Sequence, residues 1–425
     1  MLGRLFGLRP GEGVAVLRTA LTGYLVFLGY GLLKPLRDEI TTTRQTDISD
    51  LWTGTLFLAL LATPIYGWFA ARTPRRALVP RVYVFFALVF LAFWPLMQNL
   101  DPAGRGRLWT DRVFYVWVST YSLFVISLVW SLAAEAFHSE QSKRVFGLVA
   151  AGVSLGLVTG NSITAFLVTQ ISVPVLLLIA AGSMLAAAAC ARGIIPRTQV
   201  AATAPTAERV GGGWWSGLRD LMRDPYLRAV TIYLLLYLVG SGFIYILKNQ
   251  LVADAFTDRN ERRAFFGRVD LITNTCTLLL QILVTGRWLP RFGVAITLAM
   301  VPLVTLAGFG LLAVKPVLLV IVGFEITRRV AEFAMSKPAR EVLFTVSGRS
   351  SRFQSKPVLD TLIYRGADMG VARGCEALQE AGWALRGLAL VVLPFAAAGA
   401  LVAWLLGRMY EKRATAASAS ATLRP

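Results

Sequence analysis

Apolar runs of about twenty residues recur along this 425-residue chain, and nothing else in it restricts the fold so severely. A helix needs about 20 such residues to cross a hydrocarbon core of about 30 Å, where a backbone must satisfy its own hydrogen bonds. Six runs come first, from about Val14 to Leu33, Leu51 to Ala71, Leu78 to Met97, Val113 to Phe137, Val145 to Val168 and Val173 to Ala191. Six more follow, from about Ala229 to Leu247, Ala264 to Thr285, Val294 to Leu312, Val317 to Met335, Val358 to Leu378 and Leu388 to Leu406. The chain is expected to be an all-α polytopic membrane protein of twelve transmembrane helices. A hydrophobic content of 56% with only 16% charged residues agrees.

Between the two sets the composition shifts. Residues 192–228 are polar, with a Pro, Ala and Thr linker (VAATAPTAE) and then GWWSGLRDLMRDPY. There Trp214, Trp215, Leu218, Leu221 and Met222 can lie on a membrane surface while Arg219 and Arg223 face headgroups. This predicts a six-helix bundle over 1–191, a cytoplasmic linker with an interfacial amphipathic helix over 192–228, a second six-helix bundle over 229–410 and a cytoplasmic tail over 411–425. The halves echo each other: ARTPRRAL and GRWLPRFG are both short basic turns between spans, and Glu135 and Glu332 each stand eight residues before a cation, Lys143 and Arg340. Two pseudo-symmetric six-helix bundles joined by a long middle loop are the organisation of major facilitator carriers.

The net charge of +19 comes largely from loop arginines and is not interleaved with any nucleic-acid motif, so no nucleic-acid partner is expected. Lys and Arg are about twice as frequent on the loops sharing a side with the termini as on the others, which places both termini in the cytoplasm. One histidine, His138, and three scattered cysteines, Cys190, Cys276 and Cys375, offer neither a zinc site nor a disulfide framework. No phosphate loop or nucleophile triad is present, so neither an enzyme nor a cofactor is expected. The first run leads into LLKPLRDEI without a small-residue cleavage pattern and is expected to stay as a span.

Charges inside the spans point to function, because each costs roughly 2.5 to 3.5 kcal/mol at the bilayer centre if it faces lipid. Tyr30, Lys34, Arg37 and Asp38 share one face at the end of the first span. Asp270, Asn274, Thr277 and Gln281 form a polar stripe on the eighth. Between two apolar runs lies AREVLFTVSGRSSRFQSKPVLDTLIYRGADMG, with Arg340, Glu341, Lys356, Asp360, Arg365 and Asp368. The eleventh span, which begins in that stretch, also holds Arg373 and Glu376 and is expected to wall a polar path. Arg328, Arg329 and Glu332 are expected to snorkel at the cytoplasmic interface. Gly152, Gly156 and Gly160, four residues apart, allow a close helix approach.

Three stretches carry a family likeness. PGEGVAVLRTALTGYLVFLGYGLLKPLRDEI resembles the first helix, with its terminal basic-basic-acid motif, of the nucleotide translocases that exchange ATP for ADP in plastids and intracellular bacteria. SKRVFGLVAAGVSLGLVTGN is similar to the start of their fifth helix, and AREVLFTVSGRSSRFQSKPVLDTLIYRGADMG resembles their eleventh-helix signature. With DLITNTCTLLLQ in the eighth span, the likeness covers most of the chain at spaced points and is nearest the short bacterial branch. It implies a multi-pass protein of the bacterial inner membrane, and it maps the family's substrate-contacting lysines to Lys34 or Arg37 and to Arg340. The chain departs from the pattern where arginine replaces lysine at 340, where Ser119 stands near an expected helix-4 acid, and where GFIYILKNQ lacks the acid expected in helix 7.

The expected function is a secondary transporter moving a nucleotide or related anionic phosphorylated metabolite by alternating access and exchange. Two halves would rock about a central site, working as a monomer in membrane lipid. Substrate phosphates call for inward cations, here Lys34, Arg37, Lys248, Arg340 and Arg365, with Asn274 from the polar stripe. Asp38, Glu135, Asp270, Glu341, Asp360 and Asp368 are the expected gate, ion-pair or proton sites, and no residue is assigned to a metal. Two alternatives stay open at this stage: a proton-coupled major-facilitator carrier of a non-nucleotide solute, and a non-transporting membrane protein whose 192–228 segment docks a partner.

Overall fold

The computed structural model describes residues 13–43, 47–101, 104–137, 139–192, 194, 214–346 and 358–422. Their order is α1 (Gly13–Ile40), α2 (Ile48–Arg72), α3 (Arg75–Asn99), α4 (Arg105–Ala136), α5 (Ser139–Leu167), α6 (Val173–Ala191), α7 (Trp214–Arg223), α8 (Pro225–Ala255), α9 (Arg259–Leu280), α10 (Gly286–Val314), α11 (Leu318–Ala331), α12 (Lys337–Leu343), α13 (Tyr364–Glu380) and α14 (Leu385–Thr422). No strand occurs among the described residues. Nine of these helices are long and apolar enough to cross a membrane. The other three regions expected to cross are helical but fall short of this: α9 by its composition, and α11, α12 and α13 because as unbroken α-helices they have only 14, 7 and 17 residues.

Those three share a second property. Each contains or adjoins a π-turn: Gln281–Thr285 after α9, Glu332–Ser336 joining α11 to α12, and Leu359–Ile363 before α13. A π-turn gives up the regular hydrogen-bond ladder and recurs at functional sites. The eighth span does not stop at Thr285 as expected. Helical backbone continues through the π-turn into α10 and breaks at Gly293, whose φ of 74° lies in the left-handed region open to glycine.

The glycine ladder behaves as expected of a close helix contact. A methyl group added at Gly152, Gly156 or Gly160 of α5 would overlap the carbonyl oxygen of Ala20, Tyr24 or Leu28 on α1. Backbone meets backbone here, so α1 is fixed along its length.

The chain forms two compact units. One consists of Met1–Asp47, Phe57–Pro205 and Phe256–Asn274, the other of Ile48–Leu56, Thr206–Ala255 and Thr275–Pro425. Each therefore includes a short segment from the opposite half of the sequence, the start of α9 in the first unit and the start of α2 in the second. The first unit is filled by aromatic side chains of α3 and α4, with Tyr121 edge-on to Phe86 and Phe90 and Phe93 against Phe114. In the second, one cluster gathers Tyr226, Leu227, Tyr233, Leu238 and Leu343, and another gathers Phe309, Phe324, Leu312 and Val392.

Two expectations need correction. Leu221 of α7 is 2% exposed and packs, with Leu218 beside it, on the core cluster of the second unit, so protein covers part of the face expected to lie on lipid. Arg328 and Glu332 do not snorkel. They are 2% and 3% exposed, because partners inside the protein satisfy them better than an interface would.

Candidate substrate site

In the first unit the site is built on the end of α1. Helical spacing sets Lys34 one turn from Asp38, and its Nζ lies 3.2 Å from Oδ2 of that residue. The same Nζ lies 2.5 Å from Oδ2 of Asp270, which α9 brings in from far along the chain. Both carboxylates are 2% exposed, whereas the Lys34 side chain keeps 19%. Arg37 donates to Asp38 Oδ1 through Nε at 3.0 Å and Nη2 at 2.5 Å, and its guanidinium lies over the Tyr115 ring. Asn274 is half-buried one turn beyond Asp270, Thr277 is buried, and Gln281 is exposed and donates to the Phe333 carbonyl.

Beside it lies a network that sequence reasoning did not single out. Arg259 donates to Glu39 at 2.7 Å and to Asp111 at 2.7 Å. Arg263 reaches the other Glu39 oxygen at 3.1 Å, and Arg107 reaches Asp111 at 3.0 Å. Glu39 is fully buried. The available signal was the four-residue spacing of Arg107 from Asp111 and of Arg259 from Arg263, but four-residue charge spacing is common on any helix surface.

In the second unit Lys248 of α8 is buried and donates to Glu325 at 3.0 Å, and Arg329 approaches the same oxygen at 3.7 Å. The acid that Lys248 meets thus comes from α11. Arg340 pairs with Glu332 and lies over the Tyr237 ring, 5.1 Å from its centroid. Arg328 lies over the same ring at 4.7 Å, and its donors go to Thr305 Oγ1, Ser241 Oγ and the Tyr237 carbonyl. Arg365 pairs with Asp368 at 3.3 Å, both partly buried. Arg373 reaches Asp50 and Glu376 in an exposed position.

The predicted residues thus gather in two groups. Lys34, Arg37, Asp38, Asp270 and Asn274 belong to the first unit, and Lys248, Arg340, Glu341, Arg365 and Asp368 to the second. Glu341 is exposed on α12, and the partner of Arg340 is Glu332 instead. The side chains of Glu135 and Asp360, together with Lys356 and His138, lie outside the described residues.

Apolar helices around buried, mutually neutralised cations define a multi-pass membrane transporter. Residues 19–327 match the family model described as Major Facilitator Superfamily, and the chain belongs to that family. It is similar to ADP,ATP carrier protein 2 of Chlamydia pneumoniae, 22% identical over 67% of this chain, and it spans 64% of that relative's length. Among solved structures, a mutant of the nucleoside transporter NupG superposes with a TM-score of 0.67 at 12% identity, covering 92% of this chain and 99% of that one. The POT family transporter PepTSo gives 0.63 at 12% identity, covering 95% and 99%. At these identities the structural likeness speaks for the fold alone.

Proposed function

We propose that this protein carries a nucleotide, or a closely related phosphorylated metabolite, across the bacterial inner membrane by alternating access, exchanging one anion for another. The observation that carries the reading is the Lys34 ammonium held between the buried carboxylates of Asp38 and Asp270. A cation resting on carboxylates is kept charged and in position, and a phosphate oxygen can replace a carboxylate oxygen with the same charge-assisted geometry. Arg37, Lys248, Arg340 and Arg365 extend the supply of cations, each resting on an acid. Exchange follows naturally, because each cation then keeps an anionic partner whether the carrier is empty or loaded, and an uncompensated buried charge is costly. The similarity to a relative named as an ADP,ATP carrier supports the choice of substrate class.

The test is uptake of labelled ATP and ADP into proteoliposomes preloaded with unlabelled nucleotide. Uptake that requires internal nucleotide supports the proposal. Uptake of a neutral or cationic solute alone, with every nucleotide refused, overturns it. Uptake driven by a pH gradient and abolished by Asp270→Asn supports the proton-coupled reading instead.

A further inference from the structure

Arg328 has a property that no other described cation of the second unit shares. It is 2% exposed, and every partner given to its guanidinium is neutral: two hydroxyls, one backbone carbonyl and the Tyr237 ring. Arginine cannot shed its proton, so a full positive charge is held inside the protein with no carboxylate paired to it among the described residues. Four residues along the same helix stands Glu332, 3% exposed, with one oxygen on Arg340 and the other, Oε2, buried without a partner.

The guanidiniums of Arg328 and Arg340 both lie over the Tyr237 ring, 4.7 and 5.1 Å from its centroid, which keeps them close to one another. Glu332 also opens the π-turn Glu332–Ser336, and its backbone N–H is shared between the carbonyls of Arg328 and Arg329. The π-turn departs from the regular helical ladder where this side chain leaves it. Residues four apart on a helix are neighbours, so a change of rotamer is enough to carry the Glu332 carboxylate toward Arg328.

We propose that Glu332 is a movable counter-ion: it rests on Arg340 in the empty carrier and passes to Arg328 when an anionic group of the substrate takes Arg340. Arg328 is the parking place, which is why it is built without a carboxylate of its own. The inference rests on the anionic-substrate reading given above and assigns Glu332 a positioning role, acting on substrate through Arg340.

Glu332→Gln removes the competitor for Arg340 and keeps the side chain's size. We expect at least a tenfold tighter apparent affinity of the purified protein for pyrophosphate and ADP by thermal shift, together with at least a tenfold lower exchange rate in proteoliposomes. KM and turnover therefore fall together. A fixed structural ion pair gives the opposite: a lower Tm of the ligand-free protein, with anion affinity unchanged or weakened, and that outcome overturns the proposal. Should Glu332→Gln fail to fold, Arg328→Gln provides the second arm. It leaves the empty state's acid on Arg340 and is expected to weaken pyrophosphate and ADP binding about tenfold. Unchanged binding in that variant also overturns the proposal. Wild-type protein that binds pyrophosphate while refusing every nucleotide sinks the nucleotide reading and leaves this inference standing on the anion arms.

Discussion

Lys34 shows what a single residue can and cannot announce. Its spacing from Asp38 is visible in the sequence, whereas Asp270, on α9, meets it only through the tertiary fold. Breaking a buried pair from one side costs about 3 to 5 kcal/mol, since the other charge is left behind. Lys34 keeps Asp38 and 19% exposure, so Asp270→Asn is expected to cost less, about 1 to 3 kcal/mol of stability. Adding Lys34→Gln to Asp270→Asn should recover part of that loss, and thermal unfolding of the two single variants and the double variant measures the recovery. A double variant whose loss equals the sum of the singles would mean that the pair is not energetically linked. Both single variants are also expected to reduce nucleotide exchange at least tenfold.

At the scale of elements, the α1 and α5 contact and the anchor of α14 give sharper expectations. Gly156→Ala places a methyl group on the Tyr24 carbonyl, and backbone cannot swing aside as a side chain can. Overpacking of this kind costs about 1 to 3 kcal/mol. Gly310→Ala, with open space around it, is expected to be neutral or mildly stabilising, and comparing the two Tm values tests the contact directly. The carboxylate of Asp224, just before α8, is tied to α14 by Arg413 at 2.7 and 3.1 Å and accepts from the Tyr226 backbone N–H. Burial alone would raise its pKa, but the Arg413 hydrogen bonds and the backbone donor outweigh that and hold it below its ordinary value of 3.8. A carboxylate lowered in the folded state contributes stability that is present above the unfolded value and lost as pH falls through the folded one. The Tm difference between wild type and Asp224→Asn is therefore expected to be flat from pH 5 to 8 and to shrink only below about 3.8.

Over the whole molecule, the loop cations and the number of spans act together. The expected twelve crossings would return the C-terminus to the side of the N-terminus, and the loop excess of Lys and Arg predicts that side to be cytoplasmic. Reporter fusions after Pro425 and within the loop at 101–104 should read as cytoplasmic and periplasmic respectively, and a periplasmic C-terminal signal would overturn the orientation. The apolar spans were legible because burying a helix in lipid demands long runs of one residue class. Nine of them meet that demand outright, while the other three are too polar or are interrupted by a π-turn. The candidate site was legible only in pieces. Lys34 with Asp38 follows from helix geometry, and Glu332 stands at a suggestive spacing from Arg340, yet Arg328 read as an ordinary interfacial arginine.

The sequence by itself determined the membrane, the helices and the presence of ionisable groups too costly to leave in lipid, because these follow from local composition and helical period. Only the tertiary structure decided which acid answers which base: Asp270 for Lys34, Glu325 for Lys248, Glu332 for Arg340, and, among the described residues, no carboxylate for Arg328. Ion pairing depends on a few ångströms between residues distant in the chain, and that separation is set by how helices pack, a property no single helix carries.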